Sequence, residues 1–470
     1  MLDKDAKKKE VIKLESEWKE IILTEYYLVK RKERYMRSIE KRVSGIKDIL
    51  EMWFLIAIML STIIFVFILT ARISHANEIE TLLNKLVEKG VLTGAEAQAV
   101  LVETREEERK KIAQRKHDIL PEWIQKTKLT GDFRLREQYD KRDSGEDRWR
   151  TRIRLRLGIE SQVADKFKVG FGIASGGSDH RSTNQSLQDT FSHKGLNIEY
   201  AYGQYDPFKW LTLRGGKLKN PLFTPADLIW DSDINPEGGA AQFNYKASDT
   251  LGLFTNVGFF ILDERTKEAV KGNSTTKQDP FMYVFQPGFE WKFQDADFNN
   301  FAKLKASVAY YGFTHVKNNI LDNSGETNTG WDTGLKYDYN SFVTNVFLGF
   351  MPRGFIVPYV GVFGEFVYNP DPKKGNTGWL LGGALGAEKV AEKGQWQLKY
   401  NYRRLGKDAV LDCLPDSDFF DGATDVKGHE AIFEYGICKN VSVSLDYYNT
   451  KQLHGPEHED LFQLDWNLKF

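Results

Sequence analysis

Residues 461–470 read LFQLDWNLKF. Phe462, Leu464, Trp466, Leu468 and Phe470 share one parity; Gln463, Asp465, Asn467 and Lys469 share the other. Large apolar residues at strict period two describe a strand with one greasy face and one wet face. The stretch closes on an aromatic residue without a polar tail, although free ends are normally solvated. Two structures fit such a strand: the closing strand of a barrel held in lipid, or the edge of a soluble sheet. The residues before it have to decide between them.

Alternating segments run back from this strand to Lys126. Leu129, Phe133, Leu135 and Tyr139 share a parity, then Trp149, Ile153, Leu155, Leu157 and Ile159, then Phe167, Val169, Phe171 and Ile173. Later segments centre on Tyr200, Leu213, Phe243, Phe259, Phe285, Val308, Tyr359, Leu381, Leu398, Phe433 and Val443. Residues 331–350 read as one segment that changes phase near Tyr339, as a bulge would. About sixteen strands result, with a range of 14–18. Short connections fall near 162–165, 206–209, 246–250, 294–299, 351–354, 388–394 and 438–440. Long ones fall near 140–147, 175–195, 218–238, 263–280, 314–330, 369–377, 405–428 and 449–460. Strict alternation of short and long is what an even-stranded antiparallel transmembrane β-barrel requires. Closure removes the sheet edges that lipid could not hydrate. The fold class is therefore all-β, with residues 121–470 as the barrel.

Composition agrees. The mean hydropathy of -0.47 excludes a bundle of membrane helices, but not a barrel whose inner face is polar. Lys and Arg number 65 against 66 Asp and Glu, so the balance gives no nucleic-acid signal. Cys413 and Cys438 are the two cysteines. They could pair in an oxidising compartment, but the topology puts them at opposite ends of the barrel.

The second strand carries Arg148, Arg150, Arg152, Arg154 and Arg156 opposite its apolar parity. Each guanidinium would cost about 2–4 kcal/mol against lipid at the midplane, so the row faces the bore. Arg134 and Arg136 before it, and Lys166 and Lys168 after it, fall on the same parity and extend a basic wall. Such a wall needs water or counter-charge. The third long loop offers Asp227, Asp231, Asp233 and Glu237 as an inward constriction. The facing charges would order water and filter solutes by charge and dipole, favouring anions. The plainer reading is an arginine ladder, saturated by carboxylates, that stiffens the wall. The seventh long loop carries Asp412, Asp416, Asp418, Asp421 and Asp425. Their spacing matches no defined calcium loop, and a solvated surface loop is expected.

Ahead of the barrel, residues 1–52 are charge-dense and helix-prone. Residues 53–71 then run nineteen positions without a charge. The expected reading of 53–76 is an export signal cleaved after Ala76, with Ser74 and Ala76 as the small residues of the cleavage site. A retained membrane anchor and a buried helix are the alternatives. Residues 77–120 suggest a helical hairpin, with Gly90 ending one helix and Thr93 with Glu96 capping the next. It is either a spacer or an oligomerisation or cell-wall contact. No serine or cysteine nucleophile motif, phosphate loop or zinc spacing occurs, so no catalytic, cofactor or metal residues are named. A barrel-embedded lipase is the enzyme alternative.

Several runs together resemble the "Putative porin" family of Gram-negative envelopes: WRTRIRLRLG at 149–158, STNQSL at 182–187, INPEGGAA at 234–241, PDSDF at 415–419 and TDVKGHE at 424–430. LVEKGVLTGAEAQAVL at 86–101 resembles that family's mature amino terminus. The resemblance covers roughly 77–470; residues 1–52 depart from it. It implies an outer-membrane pore, with a homotrimer among the expected assemblies. Passive diffusion of small hydrophilic solutes through the bore is the expected function. Outer-membrane lipid is the expected surround, and the closing strand the expected contact for the barrel-assembly machinery. A non-conducting barrel that anchors the helical segment to the envelope is the runner-up.

Overall fold

A computed structural model describes residues 85–100, 102–103, 121–265, 278–294, 300–352, 354 and 356–470. The charged extension, the export segment with its cleavage after Ala76, and most of the lead-in to Pro121 lie outside them. The chain divides into two compact units, 1–114 and 115–470. In the first, one helix covers 85–88 and a second covers 94–100. Gly90 between them has φ 69°, the left-handed turn that only glycine adopts without strain. Thr93 and Glu96 form the reciprocal cap: Thr93 N–H donates to Glu96 Oε2 at 2.8 Å, and Glu96 N–H to Thr93 Oγ1 at 3.3 Å.

The second unit is one antiparallel sheet closed on itself. Its strands are β1 (Thr127–Arg142), β2 (Arg148–Ala164), β3 (Phe167–Ser175), β4 (Gln185–Ser186), β5 (Leu196–Phe208), β6 (Leu211–Lys217), β7 (Glu237–Lys246), β8 (Leu251–Ile261), β9 (Phe281–Gln294), β10 (Asn300–Thr314), β11 (Ser341–Pro352), β12 (Tyr359–Tyr368), β13 (Thr377–Gly386), β14 (Trp396–Leu405), β15 (Val426–Cys438), β16 (Val441–Gln452) and β17 (His458–Lys469). β4 is a two-residue patch that continues beside β2 where β3 stops. The other sixteen form the wall, each bonded to its sequence neighbour, and β1 pairs with both β2 and β17. The closing strand seals the seam to its last residue: Phe470 N–H donates to Gly131 O at 2.9 Å, and Gly131 N–H to Phe470 O at 2.7 Å. The Phe470 ring lies directly over Gly131, where a Cβ would come within 2.4 Å of it.

The faces are inverted relative to a soluble protein. Trp149, Phe167, Phe259, Phe285, Val308, Phe342, Leu381, Phe433 and Phe462 point outward and are exposed. Asn256, Gln286, Asn345, Glu365, Asn401, Glu430 and Asp465 point inward and are buried. Lipid accounts for the first set and a polar bore for the second. Aromatic pairs mark both rims, as interfacial girdles do: Phe208 stacked on Trp210 at 5.1 Å near the turns, Tyr139 tilted against Trp149 at 4.7 Å near the loops. Among the described residues no helix is long and apolar enough to cross a membrane, and the strands do the crossing.

Three expectations change. Residues 331–340 are loop rather than strand, and β11 starts only at Ser341. The phase change at Tyr339 is a left-handed loop residue (φ 59°) whose buried ring fills the bore, not a bulge. The first and last long loops are tight hairpins with tips at 143–147 and 453–457. Their polar flanks are strand that rises past the lipid, where polarity costs nothing. The third concerns the seventh loop, described next.

Candidate functional site

β1 and β2 pair so that Arg134 lies opposite Arg154, and Arg136 opposite Arg152. Like charges directly opposite one another repel, and carboxylates intervene. Asp132 bridges Arg154 and Arg156, each at 2.7 Å. Asp140 holds Arg150 at 2.6 Å. Asp465, on the wet face of the closing strand, grips Arg136 through both oxygens at 2.7 and 2.8 Å and reaches Arg134 at 3.2 Å. Asp418 completes the shell of Arg136 at 3.0 Å. Arg152 contacts Gln138 Oε1 at 3.1 Å, with no carboxylate in ion-pair range among the described residues. Arg148 is exposed at the loop end. Lys166 occupies the turn after β2, and Lys168 pairs with Asp206 at 3.1 Å; both are exposed at the turn end, away from the ladder. The ladder is therefore real as a row and largely neutralised as a charge.

The third long loop, 218–236, crosses the bore. Lumen-facing amides on β7, β8, β9 and β11 anchor its first half. Gln242 Nε2 donates to Pro221 O at 2.8 Å; Gln286 Nε2 and Asn345 Nδ2 both donate to Phe223 O at 2.9 Å. Asn256 Nδ2 orients the Gln286 amide at 2.9 Å. Glu365 on β12 accepts from the N–H groups of Ala226 and Leu228 at 3.2 and 2.9 Å. Its second half reaches the ladder, where Asp233 meets Arg156 at 3.2 Å. Asp227 turns the other way and pairs with Arg403 on β14 at 2.9 Å. Asp231 is buried and accepts from Ser417 N–H at 2.8 Å; burial first, then the charge of Asp233, pushes its carboxyl up. Glu237 is not in the crossing: it opens β7 and pairs with Lys217 at 2.8 Å.

The seventh long loop, 406–425, is buried at the centre of the bore, not solvated. Asp408 accepts from Thr329 N–H and the Tyr339 hydroxyl, both at 2.8 Å. Asp412 accepts from the N–H groups of Thr327 and Asn328 at 2.8 and 2.9 Å. Arg181 from the second long loop donates to Asp412 O at 3.0 Å, and Asp231 N–H donates to Leu414 O at 2.8 Å. Asp416 pairs with Arg403 at 3.1 Å. Three other loops thus hang on this one. Its signal in the sequence was the apolar set mixed among the aspartates: Val410, Leu411, Leu414 and Phe419 join Leu228, Ile229 and Trp230 in one buried cluster. Burial would raise Asp418, but Arg136 and then Arg134 outweigh it and hold the carboxyl down at about 2. Burial, then Asp227, pushes Asp416 up.

Asp227, Asp416 and Glu430 converge closely enough to suggest a cation site. The guanidinium of Arg403 already pairs with all three, so the cation is the protein's own. Two cavities flank the third loop. One of about 940 Å³ opens among the long loops, lined by Asp179, Glu199, Asp233, Glu237 and Asp263. One of about 640 Å³ lies toward the turns, lined by Lys209, Lys246, Lys305, Glu290 and Phe223. Cys413 is buried and Cys438 exposed, and both are free thiols.

A sequence profile of the family described as "Putative porin" matches residues 140–345 and 327–470. No curated protein sequence matches the chain. Among solved structures, the chain is similar to OprB of Pseudomonas putida, with 11% identity, 74% of this chain and 96% of that one covered, and a TM-score of 0.46. A mutant of the Rhodopseudomonas blastica porin gives 11% identity, 73% and 100% coverage and 0.41. The outer membrane channel DcaP of Acinetobacter baumannii gives 15% identity, 73% and 97% coverage and 0.40.

Proposed function

This chain belongs to the "Putative porin" family of outer-membrane β-barrel channels, and from that premise we propose that it passes small hydrophilic solutes by diffusion and sorts them electrostatically at the crossing of the third and seventh loops. The observation that carries this reading is the arginine row of the wall meeting Asp233 and Asp418 on the loops that cross the bore. Guanidiniums of the wall and the carboxylates Asp233 and Asp418 on the crossing loops set opposite charges at the constriction, where they order water and orient dipolar solutes. Anion preference rests on fewer residues than the whole row. Paired arginines attract little, so the preference falls to inward cations without a carboxylate partner among the described residues; we assign it to Arg152 and Lys305, and Arg214 and Lys399 are two more such cations. Lys305 stands over the rings of Phe223 and Phe254 at 4.5 and 4.8 Å, in the cavity toward the turns.

Reversal potentials in planar bilayers under a potassium chloride gradient test both parts. Stepwise conductance with an anion-directed reversal potential is expected. Arg152→Glu with Lys305→Glu should carry that potential toward the cation side, while Arg154→Gln alone should move it little. A barrel that gives no steps ends the diffusion reading. An unchanged potential in the double variant ends the assignment of the preference to these two cations.

A further inference from the structure

The outward face of β14 to β17 carries a row of basic side chains at its loop end. Arg404 lies opposite Lys427, Lys427 opposite Lys451, and Lys451 opposite His458. All four belong to the outward parity, since Arg403, Glu430, Thr450 and Glu459 beside them face inward and are buried. No other rung of the outer wall among the described residues sets three basic side chains together. Like charges directly opposite on adjacent strands destabilise a sheet unless something neutralises them. Two nearby acids are committed elsewhere: Asp425 takes the His454 ring at 2.8 Å, and Asp460 takes Tyr447 and Asn449 at 2.7 and 2.8 Å and lies 3.9 Å from His458. Asp143 stands at the far end of the row, where its N–H donates to His458 O at 3.2 Å. Arg404, Lys427 and Lys451 have no carboxylate in ion-pair range among the described residues.

The rungs below form a graded series toward the membrane. Directly beneath the cations come Tyr402, His429, Asn449 and Asp460. The next rung is Tyr400, Ala431, Tyr447 and Phe462, with Tyr447 stacked on Phe462 at 4.4 Å. Then follow Leu398, Phe433, Leu445 and Leu464. Each rung drops about 6.6 Å along the strand. Charge, then hydrogen-bonding side chains, then apolar rungs is the profile of one lipid molecule read from head to tail. The loop end of an outer-membrane barrel faces outward from the cell. There a cation costs little on the lipid side, and phosphate is the anion that a guanidinium and two ammonium groups match.

We propose that Arg404, Lys427, Lys451 and His458 form a docking surface on the outer wall for the phosphorylated head group of an outer-leaflet glycolipid, whose acyl chains lie along the apolar rungs below. The proposal rests on the barrel's orientation in the outer membrane and not on conduction, which is measured separately.

The probe is bis-phosphorylated lipid A, titrated into the delipidated full chain in detergent and read by native mass spectrometry. The unaltered protein should retain it. Arg404→Gln, Lys427→Gln and Lys451→Gln together should weaken retention on the order of a hundredfold, given roughly a fivefold loss for each cation removed. Lipid A stripped of its phosphates should bind the unaltered protein as weakly as the phosphorylated form binds the triple variant. Equal retention by both proteins overturns the proposal, and so does indifference to the phosphates. Phosphatidylglycerol binding as tightly as lipid A would overturn the glycolipid assignment. A heat-dependent gel shift reports whether the triple variant has closed its barrel. If it has not, the dephosphorylated lipid on the unaltered protein decides alone.

Discussion

Arg136→Leu is expected to destabilise the barrel by about 3–5 kcal/mol, the cost of leaving buried carboxylates without their cation. Arg136 is 2% exposed and stands at the seam, bonded to Asp465 of the closing strand and to Asp418 of the seventh loop. Removing it leaves Asp418 with nothing it can reach as directly, and leaves Asp465 to the more distant Arg134. Urea unfolding in detergent, followed by tryptophan fluorescence, measures the loss. Adding Asp418→Asn to Arg136→Leu should return part of it, because the stranded charge is gone. A double variant as unstable as the sum of the singles would mean that the two groups do not act as a pair. The pH dependence has a definite sign. The Asp418 carboxyl is lowered in the fold to about 2, against about 4 for a free aspartate. Its contribution is present above pH about 4 and is lost as pH falls through about 2. The seam should therefore be indifferent to pH between 7 and 5 as far as this group is concerned, and should loosen in strong acid.

The wall was legible in the sequence because lipid imposes one rule on every strand. Trp149, Phe433 and Phe462 had to alternate with Arg150, Glu434 and Gln463, and period two survives whatever the neighbouring strand contains. The ladder was legible for the same reason: five arginines on one parity have only one side to face. Its neutralisation was not legible. The partner of Arg136 is Asp465, 329 positions away, joined only when the barrel closes. The seventh loop failed for a related reason. Its aspartates read as solvated because aspartates in loops usually are, while their partners are backbone N–H groups of 327–329 and arginines of β1 and β14. A barrel interior inverts the usual rule: there, buried loops are polar and the polar groups find each other across the bore. Tyr339 misled in another way: the change of parity there suggests a bulge in a strand, while the residue lies in a loop and its ring packs inside.

Replacing residues 410–420 with a short Gly-Ser linker is expected to raise single-channel conductance severalfold and to add current noise. The excised segment holds Asp412, Leu414, Asp416 and Asp418, the anchors for the fifth, third and second long loops and for the wall. The wall itself should survive. Arg136 keeps Asp465, and Arg403 keeps Glu430 and Asp227, so no guanidinium is stranded. A shorter loop between β14 and β15 also lowers the entropy of closing that hairpin. The third loop would remain tied to the amides of β7, β9 and β11 and to Glu365. It would lose its hold on Leu414 O and Ser417 N–H, so its second half, with Asp231 and Asp233, is the part that should move. Noise on an enlarged step is the signature of that half-released loop. A clean step of unchanged size would mean that solutes pass clear of the seventh loop. Removing the amide anchors with Gln286→Leu would then be the change that opens the bore.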